Sequence, residues 1–295
     1  EAEAYYAATN ELYDMFIEAG QHVIDNNLFE QLGIPENMVQ LIKLSWDDDD
    51  WHLYGRFDFA GGVDGKPIKL LEFNADTATS LFETSIIQWA LLKSNGMDES
   101  SQFNNAFEMI GDNFKRLITN DDGLDKFDEY YNNERILFSS VRDLPEDEQT
   151  TRLLQRIATE AGFSTDFTYM DETGFLPDEG VFNKDQDLTN FWFKLWPWED
   201  IAADEPELLE LLTEIARKRT AVFINPAYTL LFQSKGILKI LHELYPDSPY
   251  LLATDDKPLT DVKQVAKPLF GREGGNVSIM DADGKTLESV DGPYD

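Results

Sequence analysis

Residues 135–170 read RILFSSVRDLPEDEQTTRLLQRIATEAGFSTDFTYM. The run Ile136-Leu137-Phe138-Ser139-Ser140-Val141 has strand length and strand composition. Residues from about 148 to 161 place leucine and isoleucine at helical intervals, and Gly162 supplies a helix stop. Ser164 to Met170 then reads as a second strand. Strand, helix and strand in so short a stretch form a βαβ unit, which implies a parallel sheet with a helical crossover.

The same alternation continues downstream. Asn190 to Leu195 reads as a strand, Asp204-Glu205-Pro206 opens a helix with proline near its first position, and Ala221 to Asn225 is another strand. The chain is therefore expected to be α/β. Past Pro226 come a helix over about 234–245, a strand from Gln264 to Leu269, and a hairpin around Asp283-Gly284. Toward the N-terminus, residues 5–45 read as helices, with Leu12, Met15, Phe16, Ala19, Val23 and Ile24 on one face and a break at Gly33-Ile34-Pro35. Trp51 to Phe59 and Ile68 to Phe73 flank a glycine-rich turn and read as a β-hairpin. Helices are expected from Thr79 or Ser80 to Leu92 and from Phe103 to Ile118. These textures divide the chain into residues 1–134, 135–225 and 226–295.

Composition narrows the functions available. The 295 residues are 42% hydrophobic and 13% aromatic, enough for a sizeable core. Asp and Glu number 57 against 24 Lys and Arg, a formal charge of −33 that opposes nucleic acid and anionic membranes as partners. The absence of cysteine removes disulfides, thiolate metal sites and a thiol nucleophile. His22, His52 and His242 show no zinc-enzyme spacing and read as surface or core histidines. With no long apolar run and no basic leader, a cytoplasmic protein is expected.

Two segments carry candidate chemistry. Alternation along a strand puts Arg56 and Asp58 on one face, and Glu72 with Asn74 on one face of the next strand, with Phe57, Phe59, Leu71 and Phe73 opposite. Asp, Glu and an Asn carbonyl are hard oxygen donors of the kind magnesium accepts alongside phosphate oxygens and water. The plainer reading is an exposed hairpin face with ordinary ion pairs. Ala75-Asp76-Thr77-Ala78-Thr79-Ser80 then leads into a helix, where backbone amides can receive an anion. In the second segment, Lys267-Pro268-Leu269-Phe270-Gly271-Arg272-Glu273-Gly274-Gly275-Asn276 joins two strands, and its glycines and cations suit phosphate; a simple hairpin turn is the alternative. It is not a Walker A loop, because no Gly-Lys-Ser/Thr follows.

Gly55-Arg56-Phe57-Asp58-Phe59, Leu71 to Ser80, Phe193 to Glu199, Ser234-Lys235 and Ala266 to Val277 together resemble the synthetase domain of glutathionylspermidine synthase and its stand-alone relatives. The resemblance implies an ATP-grasp fold with a pre-ATP-grasp α/β subdomain. It also implies an ATP-dependent ligase that joins a carboxylate, small-molecule or peptide, to a cationic amine or polyamine through an acyl phosphate. By motif position, Asp58, Glu72 and Asn74 correspond to Mg2+ ligands, and Arg56 to an arginine beside the transferring phosphoryl group and the acid substrate. Lys235 and Lys267 correspond to ATP-binding lysines, and Gly271, Arg272, Gly274, Gly275 and Asn276 to the loop over the phosphates. Thr77 and Thr79 stand where hydroxyls meet the acid substrate, and Glu146-Asp147 where an acidic pair meets the amine. Leu195 replaces a threonine of the glutathione-contacting segment and Asp147 a glutamate, so the resemblance does not carry glutathione or spermidine over as the substrates. The resemblance places an adenine-contacting strand and a further arginine beyond residue 295. The Cys amidase activity of bifunctional members is not expected here.

Two other functions fit the same residues: a non-catalytic ATP- or peptide-binding module, and a magnesium-dependent phosphohydrolase. Charge is also distributed unevenly. Residues 1–210 hold 14 Lys and Arg against 45 Asp and Glu, whereas residues 211–295 hold 10 against 12. The segment with the expected ATP lysines is thus nearly neutral.

Overall fold

A computed structural model describes residues 1–102, 104–119 and 135–294, which pack into two compact units. Unit one comprises residues 1–39, 57–74 and 230–295; unit two comprises 40–56 and 75–229. In chain order, helices α1 (Ala2–Asn26) and α2 (Val39–Asp47) precede strands β1 (Arg56–Ala60) and β2 (Lys69–Asn74). Helices α3 (Gln88–Ser94) and α4 (Ala106–Thr119) follow, then β3 (Arg135–Ser140), α5 (Pro145–Ala161) and β4 (Ser164–Phe167). Next are β5 (Gly174–Leu176), β6 (Gly180–Phe182), β7 (Leu188–Thr189) and β8 (Phe191–Leu195). Helices α6 (Trp198–Asp204) and α7 (Pro206–Lys218), β9 (Val222–Ile224), and helices α8 (Thr229–Gln233) and α9 (Ile237–Leu244) come after. The last strands are β10 (Gln264–Ala266), β11 (Ser278–Met280) and β12 (Thr286–Ser289).

In unit two, the expected parallel sheet has the order β4-β3-β8-β9. Ile136 to Ser140 lies opposite Phe191 to Leu195, and Phe191 to Phe193 opposite Val222 to Ile224. Every residue of β8 is buried, which fits a central strand covered on both faces. Phe114, Phe138, Leu154, Ile157, Phe163 and Phe193 form part of its core. Strand β3, the first of this sheet in chain order, lies between its second and third, β4 and β8, so the chain order reverses between β3 and β8. Such a reversal opens a crevice at the carboxyl ends of the strands. Helix α5 starts three residues earlier than its periodicity indicates, because Pro145 occupies its first turn; it ends at Gly162, where φ is +111°.

Unit one gathers aromatic rings. Phe16 on α1 meets Phe57, Phe73 and Phe232 at centroid distances of 5.8, 5.1 and 5.7 Å. Phe57 and Phe73, from the paired strands β1 and β2, stack at 3.9 Å. The apolar face expected beneath the carboxylates is therefore present. At Gly62 a Cβ would lie 2.3 Å from the Tyr5 hydroxyl oxygen, so only glycine allows α1 and the turn after β1 to approach this closely. Strands β10, β11 and β12 form a separate antiparallel sheet.

Further boundaries differ from the sequence expectation, and β4 ends at Phe167 instead of Met170. Trp51 to Gly55 is not strand, and β1 begins at Arg56. Strand β10 stops at Ala266 instead of Leu269, because Pro268 has no N–H to offer a ladder. Helix α9 begins at Ile237. The expected helix start at Phe103 lies outside the described residues, as does residue 134, where one segment boundary was drawn. Among the described residues, no helix is long and apolar enough to cross a membrane.

Candidate functional site

In unit one, alternation along β1 and β2 brings Asp58, Glu72 and Asn74 together. The Asn74 amide donates to Asp58 Oδ2 at 3.2 Å and to Glu72 Oε1 at 3.5 Å. Lys235, between α8 and α9, places its Nζ 3.3 Å from Glu72 Oε2 and donates to the Gly271 carbonyl at 2.9 Å. Lys267, just past β10, reaches the Leu71 carbonyl at 3.4 Å. Burial holds the Lys267 ammonium below the usual lysine range; Glu72 and Asp58 oppose that shift, and Lys235 adds to it.

This cluster balances two carboxylates against two ammonium groups. A phosphate would compete with Glu72 for the lysines, and a divalent cation would compete with the lysines for the carboxylates. The donor set fits a hard cation: two carboxylates, and a third oxygen once the Asn74 amide turns its carbonyl inward. Among the described residues no group of three or more His, Cys, Asp or Glu forms a ready metal cage. A cation here would thus depend on water and phosphate oxygens to complete its shell.

The glycine-rich loop joins β10 to β11 beside these lysines. The backbone N–H of Lys235 donates to the Leu269 carbonyl at 2.9 Å, tying the two segments together. A Cβ on Gly271 would sit 2.6 Å from Pro268 Cγ, so the loop path requires glycine there. Gly275 N–H closes on the Arg272 carbonyl at 3.0 Å, with Glu273, Gly274 and Asn276 all at positive φ. Asn276 Oδ1 accepts from Tyr294 N–H at 3.3 Å.

In unit two, Arg56 donates from Nη1 to the Thr79 carbonyl at 3.2 Å. Thr77 and Thr79 belong to the loop after β2, in which Ala75, Asp76 and Ala78 are buried while Thr79 is exposed. Three buried groups absent from the sequence candidates anchor that loop. The Asn225 amide donates to the carbonyls of Asp76, Tyr54 and Ala75 at 2.8, 3.1 and 3.3 Å, and its Oδ1 accepts from Leu53 N–H at 2.9 Å. Lys194 Nζ, fully buried, lies 3.0 Å from Asp76 Oδ1, donates to the Trp196 carbonyl at 2.8 Å and sits 4.0 Å from the Trp198 ring centroid. Asp76 Oδ2 also accepts from Trp198 N–H at 3.0 Å. The available signal was a charged residue inside the apolar strand Phe191 to Leu195, since buried charges are almost always paired.

Glu146 and Asp147 occupy the first turn of α5, where acidic residues also complement the helix dipole. The charges of Asp76 and then Asp147 add to burial in pushing the Tyr54 hydroxyl up. His52, read as a surface or core histidine, is half-buried. Its Nε2–H donates to the Ala75 carbonyl at 2.9 Å, and burial lowers its pKa to about 4.

The parallel sheet and its helices define an α/β protein, and the hairpin of carboxylates flanked by lysines is chemically suited to phosphate with a divalent cation. The chain belongs to the glutathionylspermidine synthase preATP-grasp family, whose model matches residues 1–295. A Haemophilus influenzae protein named "Putative acid--amine ligase" is 32% identical over 91% of this chain and 66% of its own length. The bifunctional glutathionylspermidine synthetase/amidase of Escherichia coli is 27% identical, over 97% of this chain and 48% of that protein. Trypanothione synthetase of Crithidia fasciculata is 26% identical, over 96% and 45% respectively. The chain thus spans just under two thirds of the first relative and about half of the other two.

Proposed function

We propose that this chain is the acid- and phosphate-handling part of an ATP-dependent carboxylate–amine ligase. The observation that carries this reading is the convergence of Lys235 and the glycine-loop segment on the Asp58, Glu72 and Asn74 hairpin. Membership of a family whose relatives are named as synthetases and an acid–amine ligase supports it. In the proposed reaction, the terminal phosphoryl group of ATP passes to an oxygen of the substrate carboxylate and ADP leaves. The amine nitrogen then displaces phosphate from the acyl phosphate, loses a proton and forms the amide.

Lys235, Lys267 and the backbone of Gly271 to Asn276 hold phosphate oxygens, and Asp58, Glu72 and Asn74 hold Mg2+. That ion supplies charge neutralisation on the phosphoryl group, so electrostatics rather than a protein nucleophile lowers the barrier. Arg56, with Thr77 and Thr79, holds the carboxylate; Glu146 and Asp147 draw in a cationic amine. Residues 1–134, 135–225 and 226–295 then serve as the metal-binding segment, the α/β segment and the start of the nucleotide-binding region. A cytoplasmic location suits the ATP requirement.

The test is phosphate release from ATP by the full-length protein, assayed across acid–amine pairs. Release that requires both an acid and an amine is expected. Hydrolysis without an amine would instead indicate a phosphohydrolase, and tight ATP binding with no turnover on any pair a binding module.

A further inference from the structure

Unit two contains a pocket of about 480 Å³ with Arg56 on its wall, a volume within the ~300–1,000 Å³ typical of small-molecule sites. Leu53, Leu81, Met109 and Ile110 supply apolar lining, and Arg116 from α4 is a second guanidinium. Arg56 and Arg116 both line the pocket, Arg56 also donating to the Thr79 carbonyl and Arg116 lying 4.6 Å from the Trp51 ring centroid, and in a chain of net charge −33 two guanidiniums at one pocket suit an anion. Asp112, the acid among the lining residues, is engaged by Lys115 at 2.9 Å.

Several polar groups lining the pocket are committed to the protein itself. The Tyr54 hydroxyl donates to the Ala78 carbonyl at 2.6 Å and the Thr84 hydroxyl to the Ser80 carbonyl at 2.7 Å. The Asn113 amide donates to the Leu53 carbonyl at 2.5 Å. A substrate with several amide groups would surrender water there and find few partners in return, whereas an apolar body gains by leaving water.

We propose that the carboxylate substrate is an acid with an apolar body, its carboxylate at Arg56 and its body against Leu53, Leu81, Met109 and Ile110. This rests on the ligase reading for the role of the carboxylate but not for the chemistry of the pocket. On this proposal the pocket favours such an acid over a glutathione-like peptide, whose amide groups would give up water against a lining that is largely apolar.

The probes are 4-phenylbutyrate, 4-phenylbutanol and glutathione, titrated calorimetrically into the full chain. Expected is binding of 4-phenylbutyrate at least tenfold tighter than either of the others. Arg56→Gln should bring 4-phenylbutyrate down to the level of the alcohol. Met109 is 55% exposed, so Met109→Glu should fold normally, as checked by circular dichroism, and weaken 4-phenylbutyrate by tenfold or more. Glutathione binding as tight as 4-phenylbutyrate, no binding of 4-phenylbutyrate, or indifference to Met109→Glu would overturn the proposal. A non-hydrolysable ATP analogue with Mg2+, titrated into the same chain and into Lys267→Ala, tests the ligase reading separately: loss of analogue binding in the variant supports that reading, and equal binding overturns it whatever the acid does.

Discussion

At the scale of single residues, the pair Lys194 and Asp76 stabilises the loop that carries Thr77 and Thr79. Both side chains are fully buried, so removing either partner strands a charge in the interior. Lys194→Met or Asp76→Ala is expected to cost about 3–5 kcal/mol in urea denaturation, and the double variant less than the two single losses combined. His52 makes a separate pH-dependent contribution. Its folded pKa of about 4 lies below the ordinary 6.5, so between these values the unfolded chain binds a proton that the folded chain refuses. Stability therefore falls as pH drops from about 6.5 and this loss levels off below about 4, reaching at most about 3 kcal/mol. Comparing wild type with His52→Gln between pH 7.5 and 4.5 isolates it from the many carboxylates: the difference in stability between the two proteins should shift over that window. A constant difference would count against the burial of the imidazole.

At the scale of elements, the sequence made regular structure legible wherever periodicity was uninterrupted. Ile136 to Val141, the helix ending at Gly162 and Asn190 to Leu195 all lie within a residue or a few of β3, α5 and β8. The weak points were short elements and edges: β5 to β7 have two or three residues each, and Lys267 to Leu269 carries strand-like residues around a proline that cannot pair. Site geometry was legible where it depends on strand parity, as for Asp58, Glu72 and Asn74. The approach of Lys235 to Glu72 is a tertiary contact that no local pattern announces; motif resemblance pointed only to Lys235 as a nucleotide-binding lysine. No pattern or motif pointed to Asn225, an unremarkable strand-end residue in sequence whose amide joins three carbonyls. Asn225→Ala should cost about 2–4 kcal/mol, since the Leu53 N–H and buried carbonyls lose their partner. Gly271→Ala, by forcing a Cβ against Pro268, should displace the loop and weaken binding of a Mg2+-ATP analogue by tenfold or more while changing overall stability by about 1–3 kcal/mol. Unaltered nucleotide affinity in that variant would detach the loop from the proposed phosphate site.

At the scale of the whole molecule, a charge of −33 must be reconciled with a proposed nucleotide ligand that is itself an anion. Part of the reconciliation is local: Lys235, Lys267 and Arg272 all fall in residues 211–295, where 10 cationic residues stand against 12 acidic ones. The remaining acidity lies in residues 1–210, where 45 acidic residues outnumber 14 basic ones and repel one another in the folded chain. Many of these carboxylates are exposed, so salt should screen their repulsion within a Debye length of about 10 Å at 0.1 M ionic strength. Raising sodium chloride from 20 to 300 mM is therefore expected to raise the urea midpoint of unfolding. A nucleotide held by two lysines and a metal ion responds in the opposite sense, because the same salt weakens its attraction to the site. Stability rising with salt while Mg2+-ATP analogue affinity falls would show that the global field and the local site are electrically distinct. If both rose together, the anionic surface rather than Lys235 and Lys267 would be governing nucleotide access.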